Sequence, residues 1–131
     1  MTYRIGSDVP VRDGPVLAGV LAAVSTDDVL RFAFAEADRR QVAVHVLNVG
    51  SEPTDVDLVD RWATKYPSVP VILSARVRID PAITLTGASS SCALLVMAAP
   101  ADHRDAAVVR AVSRRAHCPV AVVPDRPDPV P

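Results

Sequence analysis

Hydrophobic residues arrive along this chain in short continuous runs: "VLAGVLAAV" (Val16 to Val24), "VAVHVLNV" (Val42 to Val49), "VPVILSARV" (Val69 to Val77), "CALLVMAA" (Cys92 to Ala99) and "PVAVV" (Pro119 to Val123). Runs of this length without polar alternation are expected of strands in a parallel sheet that is covered on both faces. The intervening stretches change to helical spacing. From Thr26 to Arg40 the residues Leu30, Ala33, Phe34 and Ala37 form one stripe, while Asp27 with Arg31 and Glu36 with Arg40 make i,i+4 pairs on the other side. Ser25 is placed to cap this helix, with Asp28 three residues on as a short capping-box variant.

A second helix is expected from about Asp55 to Tyr66, stopped before Pro67. A last one covers "HRDAAVVRAVSRRA" with Ala107, Val108, Ala111 and Val112 turned inward. Between them, Asp80 and Pro81 make a good N-cap and first-turn pair, but Ile83, Thr84, Thr86 and Gly87 are poor helix formers, so only a short helix is expected there. Strands alternating with crossover helices predict one doubly wound α/β domain with a five-stranded parallel sheet. The domain spans residues 15–124, after an N-terminal arm (1–14) and before a proline-rich, extended tail (125–131).

Composition narrows the picture. Of 131 residues, 50% are apolar but only 4% aromatic, so Val, Ala and Leu must fill the core. Lys+Arg 14 against Asp+Glu 15 leaves a net charge of −1, with no global attraction toward nucleic acid or an anionic membrane. "PVLAGVLAAV" loosely resembles a secretory signal, but Asp8 and Asp13 spoil a basic leader and the run is far short of the roughly 20 residues that span a bilayer. A cytoplasmic protein is therefore expected.

The residues that could carry chemistry have plain alternatives. Cys92 and Cys118 lack C-x-x-C spacing and clustered His partners, so buried thiols are expected rather than a metal or redox site. His45, His117 and Cys118 fall on different elements with no acid to orient a Cys/His pair. Ser89, Ser90 and Ser91 end a weak helix as polar turn residues. His103, Arg104, Arg110, Arg114 and Arg115 concentrate positive charge on the last helix, where Arg114 and Arg115 offset the helix dipole. Neither a Walker A sequence, a G-x-S-x-G elbow, an H-E-x-x-H motif nor a carboxylate pair is present, and no catalytic residue is assigned.

Taken in order, "GPVLAGV", "VLRFAFAEADRRQVAVHVLNV", "RWATKYPSVPV", "DPA", "ASSSCALLVM" and "AHCPVAVVP" resemble the universal stress protein family over nearly the whole chain after the arm. The resemblance implies strand order 3-2-1-4-5. In ATP-binding members it also implies an acid at the end of the first strand and a G-x2-G-x9-G-[ST] loop after the fourth. Glycines there permit positive φ and close approach, so that N–H groups and a helix N-terminus hold phosphate. Carried over, the acid falls on Leu21 and the two early glycines on Ala98 and Ala101. The last glycine and the hydroxyl fall on Ala106 and Ala107 once the loop is shortened. None of the five glycines lies after Gly87.

The expectation is a member without ATP binding, without cofactor or metal, and non-catalytic, with a stress-related or regulatory role. A protein partner of unidentified kind is expected, and neither nucleic acid nor membrane. In strand order 3-2-1-4-5, Val120, Ala121, Val122 and Val123 form an apolar edge strand, which invites pairing. The resemblance makes this strand the homodimer interface. The alternative is a sensor of AMP, a cyclic nucleotide or another small ligand in a crevice lined by Val20, Leu21, Ala98, Ala99 and Ala101.

Overall fold

A computed structural model describes residues 14–22, 25–76 and 80–123. The expected arm, apart from Gly14, and the tail lie outside them. Nine elements alternate: β1 (Val16–Val20), α1 (Thr26–Arg40), β2 (Val44–Asn48), α2 (Val56–Lys65), β3 (Val71–Ala75), α3 (Pro81–Ser89), β4 (Leu94–Ala98), α4 (His103–Arg115) and β5 (Val120–Val123). All strand pairs are parallel, in the order β3-β2-β1-β4-β5. Both the class and the strand order agree with the sequence reading.

Successive residues of a strand point to opposite faces, which divides the core in two. Val16, Ala18 and Val20 of β1 join Val44 and Val46 of β2 under α1 and α2, where Leu30, Ala33, Phe34, Ala37, Leu58 and Val59 meet them. Leu17 of β1 and Leu47 of β2 face the other way, toward Leu85 of α3 and Val109 and Val112 of α4. A sheet buried on both faces needs apolar residues at every position, and β1 is buried throughout. Gly19 lets α3 approach the sheet: a Cβ there would stand 3.0 Å from Leu85 Cδ2.

The strands are shorter than the apolar runs: Val42 and Val69 flank their strands and pack in the α1/α2 cluster, and Leu21, Val49 and Cys92 do so in the α3/α4 cluster. Local differences have local causes. Ser25 occupies the N-cap of α1 without a side-chain cap bond; its hydroxyl and that of Thr26 donate instead to the Ala22 carbonyl, at 3.5 and 3.2 Å. The N-terminus of α1 therefore relies on Asp27 and Asp28 in its first turn.

The segment of poor helix propensity does form α3. Asp80 Oδ1 accepts from the Ala82 and Ile83 N–H groups at 2.8 and 3.2 Å, and Leu85 and Ser89 are buried beneath it. On α4 the inward face is rotated from the expected one: Val109 and Val112 are buried, whereas Ala107 is exposed.

Candidate functional site

The sheet opens where its winding reverses. Pairing of β1 with β2 continues to Val20↔Asn48, but pairing of β1 with β4 ends at Ala18↔Val96. Beyond that point the carboxyl ends of β1 and β4 are not bonded to each other, and such a switch point is where ligands of open α/β sheets sit. Val20 ends β1 and is buried; Leu21 follows it, half-buried against the α3/α4 cluster. Ala98 ends β4, Ala99 N–H donates to the Val123 carbonyl at 2.8 Å, and Ala101 is exposed.

A hollow of about 60 Å³ lies on the β1/β2 side, lined by Val20, Leu21, Thr26, Asn48, Thr54 and Leu58 among others. Ala98, Ala99 and Ala101 are not among its lining residues. It is small beside the roughly 300–1,000 Å³ of pockets that enclose a drug-sized ligand.

Asn48 shapes this hollow, and the sequence reading assigned it no role. Its buried amide accepts from Gly50 N–H at 2.9 Å and donates to the Glu52 carbonyl and Thr54 Oγ1 at 2.7 and 3.0 Å. It thereby folds the loop after β2 over the end of β1. Gly50 permits the closeness, since a Cβ there would stand 2.2 Å from the Leu21 carbonyl oxygen. An asparagine near the end of an apolar run, two positions before a glycine, was the available signal. The loop leads into α2, where Asp55 Oδ1 accepts from Leu58 N–H at 3.1 Å as the N-cap.

On the β4 side, α4 begins at His103, five residues after β4 ends, and a helix N-terminus attracts anions. This one already holds a carboxylate: Asp102 Oδ1 accepts from Asp105 N–H at 2.8 Å. Asp105 adds a second carboxyl in the first turn, with its pKa raised by partial burial and then by the Asp102 charge. His103 and Arg104 stand exposed beside them.

The remaining candidates are dispersed. Ser89 is fully buried; its hydroxyl donates to the Thr86 carbonyl and accepts from His117 N–H at 2.9 Å, tying α3 to the start of β5. His45 Nε2 lies 3.0 Å from Ser74 Oγ on β3, and burial and then Arg76 lower its pKa. Cys92 and Cys118 are free, with both thiols pushed up by burial, Cys118 to about 11, which suits structural rather than reactive cysteines. No cluster of three His, Cys, Asp or Glu residues that could hold a metal occurs among the described residues. Nor is any helix there long and apolar enough to cross a membrane.

An open five-stranded parallel sheet in this order, with β1 and β4 parting at the switch point, defines a doubly wound α/β domain. Within that class, the fold is that of universal stress proteins. A universal stress protein solved in complex with cAMP superposes with a TM-score of 0.68 at 17% identity, over 86% of this chain and 98% of its own. One from Archaeoglobus fulgidus, in complex with dAMP, gives 0.60 at 22% identity, over 84% and 97%. Universal stress protein UspA from Lactobacillus plantarum gives 0.58 at 19%, over 86% and 98%. No protein-family model matches the chain, and no curated protein does.

Proposed function

We propose that the chain is a non-catalytic, universal stress protein-like domain of the cytoplasm that does not bind ATP and acts as a homodimeric interaction module in stress or regulation. The observation that carries this reading is the Asp102 carboxylate capping α4 inside a loop without glycine. Triphosphate would have to displace that carboxylate and face Asp105 as well, and like charges at one helix N-terminus repel. The loop offers none of the positive-φ positions with which glycines turn several N–H groups onto one phosphate. Leu21, where ATP-binding members carry an acid, cannot accept a hydrogen bond through its side chain. The homodimer contact is assigned to β5, whose Val122 is 44% exposed at the edge of the sheet.

A second reading is supported by two of the structures with this fold, which hold dAMP and cAMP. In this reading the base of a mononucleotide would enter beside Val20 and Leu21, and its phosphate would lie near Ala98, Ala99 and Ala101. Titration calorimetry and thermal shift with ATP, ADP, AMP and cyclic AMP, with and without magnesium, separate the two. No saturable ATP binding is expected. ATP binding tighter than about 1 μM, near −8 kcal/mol, would overturn the first reading. Saturable binding of AMP or cyclic AMP alone would establish the second.

A further inference from the structure

Among the described residues the sheet has a second open edge. Of β3, Ile72 is 49% and Leu73 is 46% exposed, so the strand is uncovered on both of its faces. Its backbone is half spent. The Val44 N–H donates to the Pro70 carbonyl and the Arg76 N–H to the Asn48 carbonyl, both at 2.9 Å. In a parallel ladder these bonds alternate, so the even-numbered residues of β3 face β2. The N–H and C=O groups of Val71, Leu73 and Ala75 therefore point away from the sheet.

Devices that normally blunt an edge are missing from "VILSA": no charge, proline or bulge interrupts it. Pro70 sits just before it at an inward-facing position, where its lack of an N–H costs the outer ladder nothing. On β5, by contrast, the Leu95 N–H to Pro119 carbonyl and Ala99 N–H to Val123 carbonyl bonds leave only Val120 and Val122 pointing outward.

We propose that β3 is a second strand-pairing interface, by which copies of this chain already paired through β5 associate further, joined antiparallel about a twofold axis at Leu73. In that register Leu73 meets Leu73, Val71 meets Ala75, and every outward N–H finds an outward C=O. Ile72 of one copy lies over Ser74 of the other, a large residue against a small one. No charged pair is forced together inside the ladder.

Charge selects a second copy over an unrelated strand. A twofold axis perpendicular to the sheet keeps both α2 helices on one face, on either side of the β3 pair and pointing in opposite directions. The exposed acids of α2, Asp57 and Asp60, lie in its first half, and the exposed cations Arg61 and Lys65 in its second. Antiparallel α2 helices therefore set the acidic half of each across from the basic half of the other. Exposed Val56 is brought toward the same junction.

The test is made in a Val122→Lys background, which blocks pairing through β5. Sedimentation velocity at tens of micromolar is expected to show a dimer, reduced to monomer by adding Leu73→Lys with the circular dichroism unchanged. Mild oxidation of Leu73→Cys in that background is expected to cross-link two copies, because directly opposed residues in such a pair stand about 5.5 Å apart at Cα. Ile72→Cys, whose counterpart in the other copy is off the axis, is expected to stay largely uncross-linked, as is the parent with Cys92 and Cys118 alone. A monomeric Val122→Lys protein, a mass indifferent to Leu73→Lys, or failure of Leu73→Cys to cross-link would each overturn the proposal. The β5 contact fails separately, if Val122→Lys leaves the mass of the wild-type assembly unchanged.

Discussion

Asn48 concentrates the local energetics of the crevice in one amide. Its three hydrogen bonds serve a backbone N–H, a backbone carbonyl and a hydroxyl inside a loop, and none of these partners gains a replacement when the side chain is cut back. Asn48→Ala is expected to lose about 2 kcal/mol, read as a lower urea midpoint at constant m-value; an unchanged midpoint would show that water serves the loop equally well. His45 gives the residue scale a pH signature. Its pKa is depressed from 6.5 by burial and by Arg76, so folding favours the neutral ring. The resulting stability is present above pH 6.5 and is lost as pH falls from there through the depressed folded value. Wild type should lose stability over that interval, and His45→Gln should flatten the loss; parallel curves would assign the slope to other groups.

The helices α4 and α3, of 13 and 9 residues, are stabilised in different ways at their N-termini. α4 has an amphipathic sequence, a cap in Asp102 and apolar anchors in Val109 and Val112. α3 has weak propensity, no charge in either terminal turn, and depends on Asp80 for two N–H groups, on Pro81, and on Leu85. Removing either cap costs about 1 kcal/mol in principle, but the consequences differ with what remains. Asp80→Ala is expected to raise amide exchange throughout α3, whereas Asp102→Ala should raise it only in the first turn of α4. Equal, local effects in both would mean that α3 is held by packing alone. The Asp80-Pro81 signal was legible in the sequence. The Ser89 hydroxyl that receives His117 N–H was not, because its partner lies 28 residues away and no periodicity marks such a pair.

At the scale of the molecule, both halves of the core share one sheet: β1 alternates between the α1/α2 cluster and the α3/α4 cluster residue by residue. Neither cluster can dissolve without exposing the back of strands that the other needs. Unfolding should therefore be a single transition. Trp62, the one tryptophan, reports the α1/α2 side, where it stacks on Tyr66 and donates to Asp27 Oδ1 at 2.8 Å. Its fluorescence and the far-UV circular dichroism are expected to coincide through a urea titration; a tryptophan change at lower urea would separate the two faces.

The succession of elements and the parallel sheet could be read from residue order, because burial on both faces is a local property of the chain, as could the lack of any glycine after Gly87. The likeness to universal stress proteins added the strand order, which the tertiary structure reproduces. What sequence could not reach depends on distance in space. The split of the crevice residues follows from where β1 parts from β4. That the Asp102-capped start of α4 follows β4, the strand whose pairing with β1 ends early, is seen only in the fold. Edge strands also belong to this category: "VPVILSARV" and "PVAVV" read alike as apolar runs, and only the ladder bonds show which backbone groups each leaves unpaired.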